Sequence, residues 1–142
     1  MPARGSAEWT GDMPTGSGTF IAGDSISGGF TYKTRFEDSP GLSPEQLIGA
    51  AHAACFSMAL ASMLVQAGHL PESVHTDATV TLRPVNGIPT VTKIALVTVG
   101  RVPGLDEASF TRRRRPRPAR QQRHRPPPPG RDRAVLQRAF AY

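Results

Sequence analysis

The chain has 142 residues, one cysteine and a formal charge of +6. Such a length predicts one compact domain with a modest core. One cysteine excludes an internal disulfide framework, and the scattered histidines (His52, His69, His75, His124) have no metal-ligand spacing, so neither metal nor cofactor is expected.

The opening, MPARGSAEWTGD, lacks the apolar run of a signal peptide, which makes a cytoplasmic protein the default expectation. From residue 6 to residue 36, short β-type runs alternate with glycine turns: "AEWTG", "GTFIAG" and "GGFTYKTRFED". They predict an N-terminal antiparallel sheet, with Arg35 on its last strand. "DSPGLSP" is a loop. Ser43 then reads as a helix N-cap, with Pro44 at the first helical position and Gln46 placed to complete a capping box. The helix is expected to run to about Ala67 and to stop at Gly68. No Asp, Glu, Lys or Arg stands between Glu45 and Glu72. That is long enough to suggest a membrane span. However, the run is rich in alanine and glycine, is broken by His52, Ser57 and Ser62, and begins with a cap typical of soluble helices, so no membrane partner is expected. A helix apolar on nearly every side must be enclosed by a sheet or by a partner.

"SVHTDATVTLRPV" alternates with period two: Val74, Thr76, Ala78, Val80 and Leu82 share one side. "NGIP" turns the chain, and "TVTKIALVTVGRV" is the second strand of the hairpin. "PGLDEASF" starts a second helix, with Asp106 as its cap, and the proline-rich text that follows cuts that helix off. The order of elements defines an α+β fold whose final strand is missing.

The charge divides the chain in two. Residues 1–110 hold six basic residues (Arg4, Lys33, Arg35, Arg83, Lys93, Arg101) and ten acidic ones, whereas residues 111–142 hold eleven arginines and one acid, Asp132. The second part also has six prolines and no lysine, so up to about residue 130 it should be disordered or polyproline-like. Arginine runs can serve as nucleic-acid arms, drawn to phosphate by counterion release, and a basic nucleic-acid-binding protein is the alternative function. A second explanation fits the vocabulary better. Arginine, proline, alanine and glycine all have GC-rich codons, and a frameshifted reading of a GC-rich gene gives such text. The expected organisation is a truncated domain over 1–110 and an Arg/Pro-rich tail over 111–142.

Cys55 lies mid-helix, with Ala51 and His52 one turn before it and Met58 and Ala59 one turn after. A reactive cysteine acts as the thiolate, and since a free thiol titrates near about 8.5 a nearby cation must favour ionisation. His52 and Arg35 are the candidates. Arginine is the better one, being always charged and donating through a fixed fork. Glu45, at the helix start, could orient it. Ten helical residues put Glu45 and Cys55 roughly 15 Å apart, so Arg35 must bridge them or the helix must bend.

"TRFED…SPEQLIGAAHAACFSMALASML" resembles the signature of the OsmC/Ohr hydroperoxide-reducing proteins. "AEWTGD", "GSGTF" and "VTKIALVTVGRVPGLD" resemble further segments of the OsmC branch, so the likeness covers about residues 6–110. The resemblance implies antiparallel sheets wrapped around a long central helix in an intertwined homodimer, with sites at the subunit interface. It also implies a thiol peroxidase acting on organic hydroperoxides or hydrogen peroxide in oxidative or osmotic stress defence, with Cys55 as the peroxidatic cysteine and Arg35 and Glu45 as its support. In the resembling proteins a second cysteine closes a disulfide that a dithiol, such as a lipoyl group, then reduces. That cysteine would fall near Gln121, where this chain has none. The expected consequences are loss of the C-terminal helix and strand and impaired turnover; a catalytically dead dimeric scaffold is the third reading.

Overall fold

The computed structural model describes residues 2–37, 39–106, 108–109 and 134–136. Three strands open the chain: β1 Gly5–Thr10, β2 Ser17–Ala22 and β3 Ile26–Thr31, forming an antiparallel meander in that order. Phe20 is the buried side chain of this sheet, and the rings of Trp9 and Phe30 pack with centroids 5.6 Å apart.

The third strand ends earlier than the sequence suggests. Residues expected to extend it form a five-residue helix, α1 Tyr32–Phe36. The cause is local: the Thr31 hydroxyl accepts from the Thr34 backbone at 3.2 Å while the Thr34 hydroxyl accepts from the Thr31 backbone at 2.9 Å. This reciprocal cap satisfies two donors that a strand would have left to a neighbour. Arg35 is therefore a helix residue, not a strand residue.

The long helix α2, Pro44–Gln66, matches its sequence signals. Ser43 and Gln46 form the capping box at 3.2 and 2.7 Å, and Gly68 takes the left-handed conformation, φ 82°, just past the C-cap. It lies over the hairpin β4 Ser73–Val85 and β5 Ile88–Arg101. Asn86 and Gly87, both at positive φ, turn the hairpin as a two-residue primed turn requires. The alternation read in β4 is the observed burial pattern, with a register shift at Thr81/Leu82. Gly49 lets α2 approach the sheet: a Cβ there would stand 3.3 Å from Val80 Cγ2. A hydroxyl chain crosses the same interface, from Ser57 to Thr76 at 2.8 Å and from Thr76 to Thr98 at 3.1 Å. Leu64, Val102 and Leu105, with Leu60 and Val74 against them, fill the far end.

Asp106 caps a short helical turn at 108–109, its carboxylate accepting from the Ser109 backbone at 2.7 Å. A three-residue strand, β6 Ala134–Leu136, then pairs antiparallel with β5, so three residues of the tail hold the closing position beside that strand. The expected disorder up to about residue 130 lies outside the described residues.

The sheet covers only one side of α2. Ile48, Met58, Met63 and Val65 are all exposed on this helix, which carries no charge after Glu45, as is Cys55. By length and composition α2 could cross a membrane, but its Gly49 and Leu64 positions are buried against protein. Among the described residues, only Phe20, Leu64, Leu96, Val102 and Leu105 are buried hydrophobics. That core is thin for the number of residues it must order.

Candidate active site

Two elements meet at the start of α2. The capped α1 turn presents Arg35, and the first turn of α2 presents Glu45, where the helix dipole favours a carboxylate. Arg35 donates from Nε to Glu45 Oε1 at 2.9 Å, and its Nη2 lies 2.9 Å from the same oxygen. Glu45 is buried at 8 % exposure, whereas the Arg35 side chain keeps 31 % of its surface. The guanidinium also lies over the Phe36 ring, 5.1 Å from its centroid. Phe36 was not singled out in the sequence; its adjacency to Arg35 was the available signal. Glu45 Oε2 is buried and has no hydrogen-bond partner among the described residues. Beside the pair is a cleft of about 320 Å³, walled by Ser43, Gln46, Thr79, Val80 and Leu82.

Cys55 is not part of this cleft. It follows Glu45 by ten residues along an unbroken helix, about 15 Å on. α2 is one continuous helix from Pro44 to Gln66, and the Arg35 guanidinium is held at its Glu45 end. Within one protomer the structure thus forms the Arg–Glu half of the constellation and leaves the thiol exposed on the open face of α2. Met58 and Ala59 follow the thiol by one turn on that face; His52, one turn before it, is half-buried and has a partner of its own.

An α+β protomer with a long apolar central helix, a half-buried Arg–Glu pair at its start and an exposed mid-helix thiol belongs to a definite class. The OsmC-like protein family model matches residues 36–112, and the chain belongs to that family. Among its relatives are Peroxiredoxin OsmC of Escherichia coli (strain K12) and Peroxiredoxin OsmC of Shigella flexneri. Each is 46 % identical over 109 residues, covering 75 % of this chain and 76 % of the relative. The family match ends at the break in composition between the two parts of the sequence.

Proposed function

We propose that this protein is a homodimeric, thiol-dependent peroxidase that reduces organic hydroperoxides at Cys55 in the cytoplasm. One observation carries the reading: the only cysteine stands exposed on an apolar helix face that the protomer leaves uncovered, while a charged Arg35–Glu45 pair is already formed elsewhere on the same fold. A second copy covering α2 would bury that face and could bring its own Arg35 to this Cys55. The 46 % identity to proteins named peroxiredoxin supports the chemistry. A lone free thiol suits a reducing compartment.

In the proposed step the Cys55 thiolate attacks the distal oxygen of ROOH. A sulfur–oxygen bond forms as the O–O bond breaks. The alkoxide leaves, takes up a proton and departs as the alcohol, and Cys55 becomes the sulfenic acid. Arg35 offers preorganised positive charge to the thiolate and to the oxygen that becomes alkoxide. Glu45 fixes the guanidinium by accepting its Nε hydrogen. Met58, one turn after the thiol, gives that face exposed apolar surface, which favours an alkyl hydroperoxide over hydrogen peroxide. The test is intact-mass analysis after one equivalent of cumene hydroperoxide, with a sulfenic-acid trap present. Trapped Cys55 is the expected product; an unmodified cysteine at that stoichiometry refutes the assignment.

A further inference from the structure

Arg35 and Glu45 do not meet fork to fork. Nε and Nη2 of Arg35 both reach one oxygen, Glu45 Oε1, at 2.9 Å each. Glu45 Oε2 is buried beside it and accepts nothing from the described residues. Two parallel bonds to two oxygens would hold guanidinium and carboxylate in one plane. Two bonds converging on one oxygen fix the distance and the donating edge, but leave the guanidinium plane free to tilt about that oxygen. A second contact must set the plane.

The ring of Phe36 makes that contact. Neighbours in a helix point about 100° apart and do not normally face each other. Here, however, Arg35 Cζ stands over the Phe36 ring, 5.1 Å from its centroid. Phe36 packs in turn on Tyr32, four residues earlier on α1, with centroids 4.8 Å apart and planes inclined at 39°. α1 is tied at both ends, by the Thr31–Thr34 cap and by the Glu37 N–H donating to Lys33 O at 2.9 Å. The two rings therefore stand on a fixed turn. A cation over a ring face is attracted by the ring's quadrupole, more strongly where water is partly excluded, and both Arg35 and Phe36 are half-buried. Resting on the peroxidase reading, we infer that Phe36, backed by Tyr32, is a positioning residue whose ring sets the plane of the Arg35 guanidinium. The bonds to Glu45 use Nε and Nη2, so the plane decides where Nη1 is aimed, and that is the donor left for thiolate and peroxide. Phe36 touches neither reactant; it acts through Arg35.

The experiment follows Cys55 oxidation by cumene hydroperoxide in stopped-flow with the full chain. Phe36→Leu keeps apolar bulk and removes the ring, and should slow the step by about tenfold. Phe36→Tyr keeps the ring and should stay within about twofold of the wild type. Tyr32→Leu, which removes only the backing ring, should slow it by about threefold and carries the test if Phe36→Leu does not fold. Each change is repeated on Arg35→Met, where it should have no further effect, because the cation it positions is gone. A purely structural role would persist in that background. A wild-type rate for both leucine variants, or an equal loss with and without Arg35, overturns the inference and leaves the peroxidase reading standing. Failure of the wild type to form trapped Cys55 sulfenic acid overturns both.

Discussion

Met58 offers the sharpest test of whether a second copy covers α2. It is 71 % exposed in the protomer, three residues beyond Cys55 on the open face. Burying a methionine side chain contributes about 1.5–3 kcal/mol, so covering the exposed share contributes about 1–2 kcal/mol per protomer. A two-fold interface counts it twice, about 2–4 kcal/mol. Met58→Glu removes that gain and buries an unpaired carboxylate on each side, which adds several kcal/mol of cost. Dimer dissociation should therefore strengthen by more than about a thousandfold, at 1.4 kcal/mol per tenfold. The protomer's own fold should lose only about 0.5 kcal/mol, because the replaced side chain is at its surface. Sedimentation velocity over a micromolar concentration range is the assay, with Met58→Leu as the size-matched apolar control. The wild type and Met58→Leu should sediment as dimers and Met58→Glu as monomers. The wild-type melting temperature should also rise with protein concentration, as mass action requires of a dimer. A monomeric wild type, or a Met58→Glu variant as dimeric as the wild type, refutes the argument.

Arg35→Met should slow Cys55 oxidation by about a hundredfold in stopped-flow with cumene hydroperoxide, the loss typical of one preorganised charge donor; an unchanged rate removes Arg35 from the mechanism. Gly49→Ala should be near neutral, since the helix-propensity gain offsets a Cβ standing 3.3 Å from Val80 Cγ2. Gly49→Val should overpack the α2–β4 contact and cost about 1–2 kcal/mol, read as a fall of roughly 5 °C in melting temperature. Asp12, whose carboxylate accepts from the Thr15 hydroxyl and backbone, titrates below the ordinary aspartate range because those hydrogen bonds favour its charged form. A depressed folded value means that the turn's stabilisation is present above the unfolded value of about 3.9 and is lost as pH falls through the folded value. An NMR titration should give Asp12 a midpoint below about 3.9, and Thr15→Val should raise it.

The parts of the fold governed by short-range rules were legible in the sequence. Ser43, Pro44, Gln46 and Gly68 set both ends of α2 through bonds spanning a few residues, and the structure has them where the signals stand. The alternation of Val74 to Leu82 and the Asn86–Gly87 turn fixed the hairpin in the same way. Where the reading failed, two local rules competed. Thr31 to Phe36 has β-type composition, and the Thr31–Thr34 cap overrode it, a bond pattern that does not depend on hydrophobic period. In the tail, neither period nor capping pattern announced the pairing of Ala134–Leu136 with β5.

The site was only half legible because a sequence gives the spacing along one chain and not the surface of its copy. Ten residues of helix rule out direct contact between Glu45 and Cys55, and the structure holds Arg35 at the glutamate end. The three residues singled out from the sequence thus divide into a pair and a lone thiol within a single protomer. Under the proposed homodimer, the absence of charge from Glu45 to Glu72, which first raised the question of a membrane, accounts for that division. A helix with one side on β4 needs uncharged residues there only; charge-free residues on its other side as well are costly to leave in water, and in the proposed homodimer a second protomer is the cover. On this view the apolar stripe and the separated site are one feature: the stripe recruits the copy, and the copy brings an Arg35–Glu45 pair to the thiol that its own chain holds out of reach. Met58→Glu should therefore slow Cys55 oxidation and abolish dimerisation together, while Arg35→Met should slow the first by about a hundredfold and spare the second. A variant mixture makes the distinction strict. Combining Arg35→Met chains with Cys55→Ser chains should restore oxidation in the heterodimer, where an intact Arg35 faces an intact Cys55 across the interface. Failure of that mixture to recover activity, with heterodimers shown to form, would place both residues in the same subunit's site and remove the partner from the chemistry.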